Sequence, residues 1–428
     1  MTAEQSLPAA AEVLVVGAGP AGCAAAISLV RAGRSVVMCD KAEFPRDKCC
    51  GDGLTAGALC SLEDLGISPA VLPSWTEVHD VSIRSPSGRQ ARLPLGRASG
   101  QRPDGLHGAV CTRRELDAEL VATTRRAGVH VLERRSFRGF VNTGSHRSST
   151  LRAHFDGDGV IEAEFVIGCD GAWSPVRRAA GEACSTAEPA ARPPTYLGEW
   201  HAFRRYYRRV SPQAAEHLWI WFDTEVLPGY AWSFPLGGGR ANVGVMLARR
   251  PDTSGADLRA HFEDVLAAPW SRSLAGRHAE PDGPQRSWPI PADPAAPLSA
   301  AGGRVLFAGD AARLADPLTG EGIGQALDSG RLAAEAIITD GPIPLRVAAS
   351  YADSIARTLA VDNRLARQVS RVLEHESLAR GAIRLGGWGP VAPHFGRWIF
   401  EDYPRALLVT PRRWHRGAMR GHGAFSAR

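Results

Sequence analysis

The chain has 428 residues, of which 44% are hydrophobic, and it carries a formal net charge of +5. A chain of this length and composition can bury a large interior, which excludes a disordered or fibrous protein and predicts two interleaved domains. Lys41 and Lys48 are its only lysines, and the arginines are scattered among nearly as many acidic residues. No nucleic-acid-binding surface is therefore predicted.

The eight cysteines show no Cys/His spacing typical of zinc, so no metal site is predicted. Residues 13–30 carry no charge, but glycines and a proline interrupt them, and a strand–turn–helix unit explains them better than a transmembrane segment. No signal peptide is recognised before the first strand, and a cytoplasmic location is expected. The basic tail, residues 411–428, leaves a peripheral membrane contact open.

Strand and helix patterns alternate at the start of the chain. Residues 12–17 predict a buried parallel strand, residues 20–32 a helix that stops at Gly33, and residues 35–40 the next strand. Further on, Thr112 with Glu115 predicts a capping box at the start of a helix.

The later segments have another character. Residues 81–95 predict a β-hairpin, and residues 195–248 alternate as a half-solvated antiparallel sheet would. The proline-rich residues 281–298 are interpreted as a connection, and a helical pattern begins after about residue 345.

The first motif with chemical meaning is Gly17-Ala-Gly19-Pro20-Ala21-Gly22, between a strand and a helix. Gly17 permits the tight turn, Gly19 lets the backbone approach a pyrophosphate, and Gly22 lets the helix lie close to the sheet. Asp40 ends the next strand, where a carboxylate can accept both ribose hydroxyls. The unit predicts a dinucleotide site for FAD or NAD rather than NADP.

Two later motifs favour FAD. Asp170-Gly171 follows one strand within the pattern DGxxSxxR, and Gly309-Asp310 follows another. Asp310 can hold ribityl hydroxyls, and the loop after it leads to a helix that begins near Gly322. The positive end of this helix would favour the reduced, anionic flavin ring.

These motifs together resemble the geranylgeranyl reductase family of FAD-dependent oxidoreductases. Further matching stretches are residues 44–54, 113–117, 228–235 and 242–244. The resemblance implies that Arg113 lies near the FAD phosphates, that Cys50-Gly51 lies near the flavin ring, and that the strand Tyr230–Pro235 lines a substrate cavity.

The expected fold is α/β, with a Rossmann-like (GR2-type) FAD-binding domain, an inserted antiparallel β-sheet substrate domain and a helical C-terminus. The FAD-binding domain is assigned to residues 10–75, 105–180 and 300–342, and the substrate domain to residues 76–104 and 181–299. Residues 343–428 form the helical C-terminal region.

The candidate site residues fall into three groups. Cys50 is the candidate catalytic residue, and Tyr230, Trp232, Phe234 and His201 are the candidate substrate-pocket residues. The candidate FAD-binding residues are Gly17, Gly19, Pro20, Ala21, Gly22, Asp40, Lys41, Arg46, Cys50, Gly51, Arg113, Asp170, Gly171, Asp310, Pro317, Gly320, Gly322, Ile323 and Gly324.

Several reactions fit this family. Halogenation is rejected, because related halogenases use a lysine and none follows Lys48. Monooxygenation of a bulky apolar small molecule, with NADH or NADPH and O₂, is slightly favoured over geranylgeranyl-reductase-like reduction of isoprenoid C=C bonds, since no lipid-docking segment stands out. Against this, Arg313 and Gln325 depart from the aromatic hydroxylases. A cyclase or binding scaffold with structural FAD is a third possibility.

Overall fold

The computed structural model describes residues 7–68, 71–95, 105–140, 150–184, 198–250, 254–293, 295–416, 418–419 and 421–426. Its strands are β1 (Ala10–Val16), β2 (Val36–Cys39), β3 (Gly53–Thr55), β4 (Thr76–Glu77), β5 (Asp80–Arg84), β6 (Gln90–Pro94), β7 (Gly108–Val110), β8 (His130–Leu132), β9 (Phe137–Phe140), β10 (Leu151–Phe155), β11 (Val160–Gly168), β12 (Trp200–Arg208), β13 (Leu218–Trp221), β14 (Tyr230–Pro235), β15 (Arg240–Ala248), β16 (Glu280–Pro281), β17 (Arg286–Ile290), β18 (Ser299–Ala300) and β19 (Val305–Phe307). Its α-helices are α1 (Pro20–Arg31), α2 (Ala56–Asp64), α3 (Arg113–Arg126), α4 (Pro175–Cys184), α5 (Pro212–Glu216), α6 (Gly255–Ala267), α7 (Pro269–Ala275), α8 (Ile323–Asp340), α9 (Pro344–Arg357), α10 (Leu359–Leu373), α11 (Glu376–Gly386) and α12 (Ala392–Ile399).

A parallel sheet carries the N-terminal motif. Its strands run in the order β19-β11-β1-β2-β8, and each neighbouring pair is parallel. Residues Val13–Val15 of β1 are fully buried, as an apolar run in a central parallel strand should be. Helices α1 and α8 pack so closely that a Cβ added at Gly330 would lie 2.1 Å from the carbonyl oxygen of Ala21.

A second, mostly antiparallel sheet lies beside the first. Its strands run in the order β16-β12-β15-β14-β13-β5-β6, and β17 pairs with β12 at its edge. The strands β3, β7 and β4 form a small third sheet. The predicted hairpin of residues 81–95 is confirmed by the pairing of β5 with β6.

The predicted fold class, an α/β fold with a helical C-terminus, is confirmed. Helices α9 to α12 occupy most of residues 344–399. The division of the chain into an FAD-binding and a substrate domain stays a prediction. Among the described residues, no helix combines the length and the apolar character needed to cross a membrane.

Two local predictions were wrong. Thr112 precedes α3 without capping it through its side chain, and the Glu115 carboxylate instead accepts hydrogen bonds from the amide and hydroxyl of Ser74, at 2.7 and 2.6 Å. In a capping box, the backbone amide of Thr112 would donate to Glu115. Because Ser74 is remote in sequence, the local pattern could not show that Ser74 would donate instead. Residues 281–298 are not only a connection, because β17 lies within them as an edge strand, where its Pro289 is tolerated.

Candidate active site

A cavity of about 850 Å³ extends from the N-terminal motif to the antiparallel sheet and the C-terminal helices. The carboxyl ends of β1, β2 and β11 open into one end of it, where parallel sheets usually bind ligands. The other end is lined by aromatic and aliphatic side chains. The cavity therefore joins a polar cleft at the end of the parallel sheet to an apolar chamber.

The start of α1 is shaped by glycine. Gly17 has a φ of +105°, and a Cβ at this position would lie 2.3 Å from the carbonyl oxygen of Cys169. A Cβ at Gly22 would lie 1.9 Å from the carbonyl oxygen of Gly17. At Gly19 the nearest atom would be 3.8 Å away, and no side chain caps the helix there. The backbone at the start of α1 is thus open to a phosphate group.

Asp40 lies at the end of β2 and lines the same cleft. Its carboxylate accepts hydrogen bonds from the amides of Ala18 and Ala42, each at 2.7 Å. These two bonds fix the orientation of the carboxylate, and each oxygen keeps a lone pair that can accept a ribose hydroxyl.

Two arginines share one acid in the phosphate region. The buried Arg113 donates two hydrogen bonds to Asp117, each at 2.8 Å, and Arg46 lies 2.9 Å from the same carboxylate. Although burial raises the pKa of Asp117, the guanidinium groups of Arg113 and Arg46 lower it below its usual range. The trio keeps a net charge of +1 beside the cleft, which favours an anionic ligand.

Asp170 and Asp310 both line the cavity, in different arrangements. Asp170 accepts hydrogen bonds from the hydroxyl of Ser174 at 2.5 Å and from the amide of Val176 at 2.9 Å, so it caps the start of α4. Burial raises its pKa to about 6. Asp310 lies 2.9 Å from Nζ of Lys48, which balances its charge.

A hydrogen-bond network that the sequence analysis missed supports the loop of Cys50 and Gly51. The buried Asp52 accepts hydrogen bonds from the hydroxyl of Tyr206 at 2.7 Å and from Nδ2 of Asn242 at 2.8 Å. Burial raises the pKa of Asp52 to about 6. Asn242 also donates to the carbonyl oxygen of Cys50 at 2.8 Å. Burial raises the pKa of the Cys50 thiol, so the thiol stays protonated at neutral pH.

The loop before α8 closes the cleft from the other side. Glu321 accepts hydrogen bonds through Oε1 from the amides of Ile323 and Gly324, each at 2.9 Å. The hydroxyl of Tyr230 donates to the carbonyl oxygen of Thr319 in the same loop. The amides that the sequence analysis assigned to the flavin are therefore engaged by a side chain of the chain itself.

The apolar end is built from β14 and the C-terminal helices. Tyr230, Trp232 and Phe234 follow one another along the strand, with ring centroids 6.1 and 6.0 Å apart, and all three line the cavity. The indole of Trp232 donates to Oδ1 of Asn242 at 3.2 Å, which ties this wall to the Asp52 network. The C-terminal residues that line the cavity are Val369, Leu373, Ala382, Ile383, Phe395, Trp398, Ile399 and Phe400.

Most of the predicted site residues meet in this cavity. The exceptions are Gly22, Pro317, Gly324 and His201, which are not among the residues that line it. The placement of His201 in the substrate pocket was wrong. On β12 the neighbouring Ala202 faces the cavity, whereas the His201 ring lies 5.0 Å from that of Phe203, which packs on Phe262 of α6. The predicted residues that line the cavity are Gly17, Gly19, Pro20, Ala21, Asp40, Lys41, Arg46, Cys50, Gly51, Arg113, Asp170, Gly171, Tyr230, Trp232, Phe234, Asp310, Gly320, Gly322 and Ile323.

Arg405 forms a further cluster that the sequence analysis missed. This arginine is 2% exposed, and its guanidinium lies 3.2 Å from Asp316 and 3.2 Å from Glu401. Glu401 also accepts hydrogen bonds from Thr55 at 3.0 Å and from Gln325 at 2.9 Å. The C-terminal segment is thereby fastened to the loop before α8.

Comparison with known proteins identifies the family. A family model described as "FAD binding domain" matches residues 10–336. Menaquinone reductase of Mycolicibacterium smegmatis is 33% identical, over 94% of this chain and 97% of its own length. Digeranylgeranylglycerophospholipid reductase 1 of Methanopyrus kandleri is 32% identical, over 76% of this chain and 80% of its own length. The chain belongs to the geranylgeranyl reductase family of FAD-dependent oxidoreductases.

A solved structure of this family agrees in fold. The geranylgeranyl bacteriochlorophyll reductase-like protein of Thermoplasma acidophilum superposes with a TM-score of 0.74 at 21% identity, covering 94% of this chain and 98% of that one. The residues present also fit FAD, because the glycine turn at Gly17, the acid at Asp40 and the net positive trio around Asp117 suit a pyrophosphate and a ribose. This geranylgeranyl reductase family member is an FAD-dependent oxidoreductase.

Proposed function

We propose that this enzyme reduces a C=C bond in the isoprenoid chain of a lipid, with NADH or NADPH as the electron donor. The observation that carries the proposal is the continuity of the cavity, in which the nucleotide cleft opens directly into an apolar chamber. The two curated relatives support it, because menaquinone and a digeranylgeranyl glycerophospholipid both carry polyisoprenoid chains.

The proposal reverses the slight preference for oxygen insertion that the sequence alone gave. That preference rested on the absence of an obvious lipid-binding segment. Apolar residues that are scattered in sequence, on β14 and on α10 to α12, together line one end of the cavity and support a lipid substrate. Monooxygenation remains the alternative reaction, and an anaerobic measurement distinguishes it from C=C reduction.

Each part of the wall has a role in this reaction. Saturating a C=C bond breaks its π bond and forms two C–H bonds, one from a hydride and one from a proton. Bound FAD, once reduced, supplies the hydride. Tyr230, Trp232 and Phe234 hold the chain and exclude water. Cys50 lines the same cavity and its thiol is protonated, so we propose it as a proton source at Sγ.

The test is an anaerobic reoxidation experiment. The FAD-loaded enzyme is reduced with NADH or NADPH and mixed with menaquinone, with a digeranylgeranyl lipid, or with the fully saturated lipid as the matched control. Reoxidation by an unsaturated lipid is expected, with two hydrogens gained in its isoprenoid chain per reduced bond. For menaquinone this gain must persist after the quinol ring has been oxidised back to the quinone. Reoxidation only after O₂ is admitted, with labelled oxygen incorporated into the product, would instead establish the monooxygenase.

A further inference from the structure

Glu321 occupies the N-terminus of α8. Its Oε1 accepts hydrogen bonds from the amides of Ile323 and Gly324, the first two residues of the helix. These amides carry the positive end of the helix dipole, which favours a negative charge. In a flavin site of this fold, the same amides suit the N1/C2 edge of the ring, where charge collects on reduction.

The surroundings of Glu321 are rich in acid. Asp316 stands in the same loop and Glu401 in the C-terminal segment, and Arg405 is the cation that lies against both. Tyr230 on β14 and Cys50 face Glu321 from the substrate side, and both are neutral at pH 7. Three carboxyl groups and one guanidinium in an enclosed site favour a proton on one of the acids.

We assign this proton to Glu321, although burial raises the pKa of Glu401 as well. Burial, Glu401 and Asp316 raise its pKa to about 8 and outweigh the two amide hydrogen bonds, which lower it. Asp316 is 1% exposed and pairs with Arg405, and Glu401 has the same cation as well as two neutral donors. Among the described residues, the carboxylate of Glu321 accepts its hydrogen bonds from these two backbone amides, which are the donors that a flavin would need.

We propose that the Glu321 carboxyl group and the anionic edge of FAD compete for the amides at the start of α8, so that FAD binding and reduction are coupled to a proton on Glu321. When the flavin takes these donors, Glu321 loses the groups that stabilise its charge and retains a proton. Reduction adds negative charge at the same edge and strengthens this requirement.

The pH dependence follows by linkage. If Glu321 loses its amide partners to the flavin, its pKa is higher in the complex than in the apoprotein. FAD affinity is then highest below the apoprotein pKa of about 8 and falls as the pH rises through the pKa of the complex. Each unit between the two pKa values corresponds to roughly a tenfold loss of affinity.

The experiment measures FAD affinity by flavin fluorescence across about pH 6 to pH 10 for the full chain and for Glu321→Gln. As the pH rises, we expect the FAD affinity of the wild type to fall by roughly tenfold or more from its low-pH plateau. The FAD affinity of Glu321→Gln should not change with pH, because the glutamine side chain cannot ionise. The matched control is Glu335→Gln, the same substitution on the exposed side of α8, which should follow the wild type. A second readout is the ratio of oxidised to reduced flavin at a fixed potential. The part of its pH dependence that comes from the proton on Glu321 should be absent in Glu321→Gln.

Glu321→Ala protects the test against a variant that fails to fold. It frees both amides, and we expect it to bind FAD at least as tightly as the wild type at neutral pH, with a flat profile. A flat wild-type profile, or parallel falls in wild type and Glu321→Gln, would overturn the proposal. So would loss of FAD from both Glu321 variants while their thermal unfolding is unchanged. None of these outcomes depends on which substrate the enzyme reduces.

Discussion

Arg405 joins the C-terminal segment to the loop before α8, and replacing it with methionine tests how much this joint stabilises the protein. The guanidinium is 2% exposed and lies 3.2 Å from the carboxylates of both Asp316 and Glu401. Methionine fills a similar space but leaves these acids without a cation. Removing one partner of a buried ion pair costs about 3–5 kcal/mol, so a loss of this size in the free energy of unfolding is expected for Arg405→Met.

Urea unfolding of the FAD-saturated protein, followed by tryptophan fluorescence, measures this loss. The matched control is Arg412→Met in the exposed part of the same segment, which should change the free energy of unfolding by less than about 0.5 kcal/mol. If Arg405→Met lost no more than about 1 kcal/mol, the assignment of a structural role to the cluster would be refuted.

Two further measurements separate charge from packing. Because Arg405 lowers the pKa of Glu401 against the effect of burial, the variant should have a still higher Glu401 pKa. An acid whose pKa is raised on folding destabilises the protein at high pH and ceases to do so as the pH falls, so the gap between variant and wild type should narrow on acidification. Adding Glu401→Gln to Arg405→Met should cost less than the sum of the two single changes.

Three other predictions concern the cavity. Gly244→Ala should destabilise the protein by about 1–3 kcal/mol, because the new Cβ would lie 2.2 Å from Trp232 and 2.4 Å from the carbonyl oxygen of Phe203. An unchanged melting temperature would contradict this packing. Asp310→Ala should leave the fold intact and weaken FAD binding by roughly tenfold to a hundredfold, as expected for a hydrogen bond to a charged group, and normal FAD retention in equilibrium dialysis would refute the role of Asp310. Because burial raises the pKa of Cys50, iodoacetamide should alkylate this thiol slowly at neutral pH and faster only in alkali, as measured by peptide mass spectrometry. Rapid alkylation at neutral pH would show that the thiol is already ionised.

Local signals in the sequence were sufficient for the nucleotide cleft. The turn at Gly17, the helix that follows it and the acid at Asp40 all lie within one strand–helix–strand unit, and each is visible from its neighbours. The hairpin of β5 and β6 was predictable for the same reason. In each case, contacts that are close in sequence determine the structure.

The rest of the site depends on contacts that are remote in sequence. Arg405 and Asp316 are separated by the five helices α8 to α12, and no periodicity in either segment indicates that they pair. The face of β12 that His201 occupies is set by the register of β12 with β15, which alternation along one strand cannot give. Glu321 lies in a glycine-rich loop, and nothing in the local sequence indicates that Glu401 lies close to it.

The far wall of the cavity comes from residues 369–400, whereas the match to the FAD-binding family model ends at residue 336. One wall of the apolar end, from α10 to α12, therefore lies after the stretch that matches the family model, whereas the wall on β14 lies within it. Mutations on α10 to α12 can reshape this wall without changing the glycine turn at Gly17 or the acid at Asp40. We expect variants altered on α10 to α12 to accept apolar ligands of a different length, provided that the contacts of Arg405 with Asp316 and Glu401 are kept.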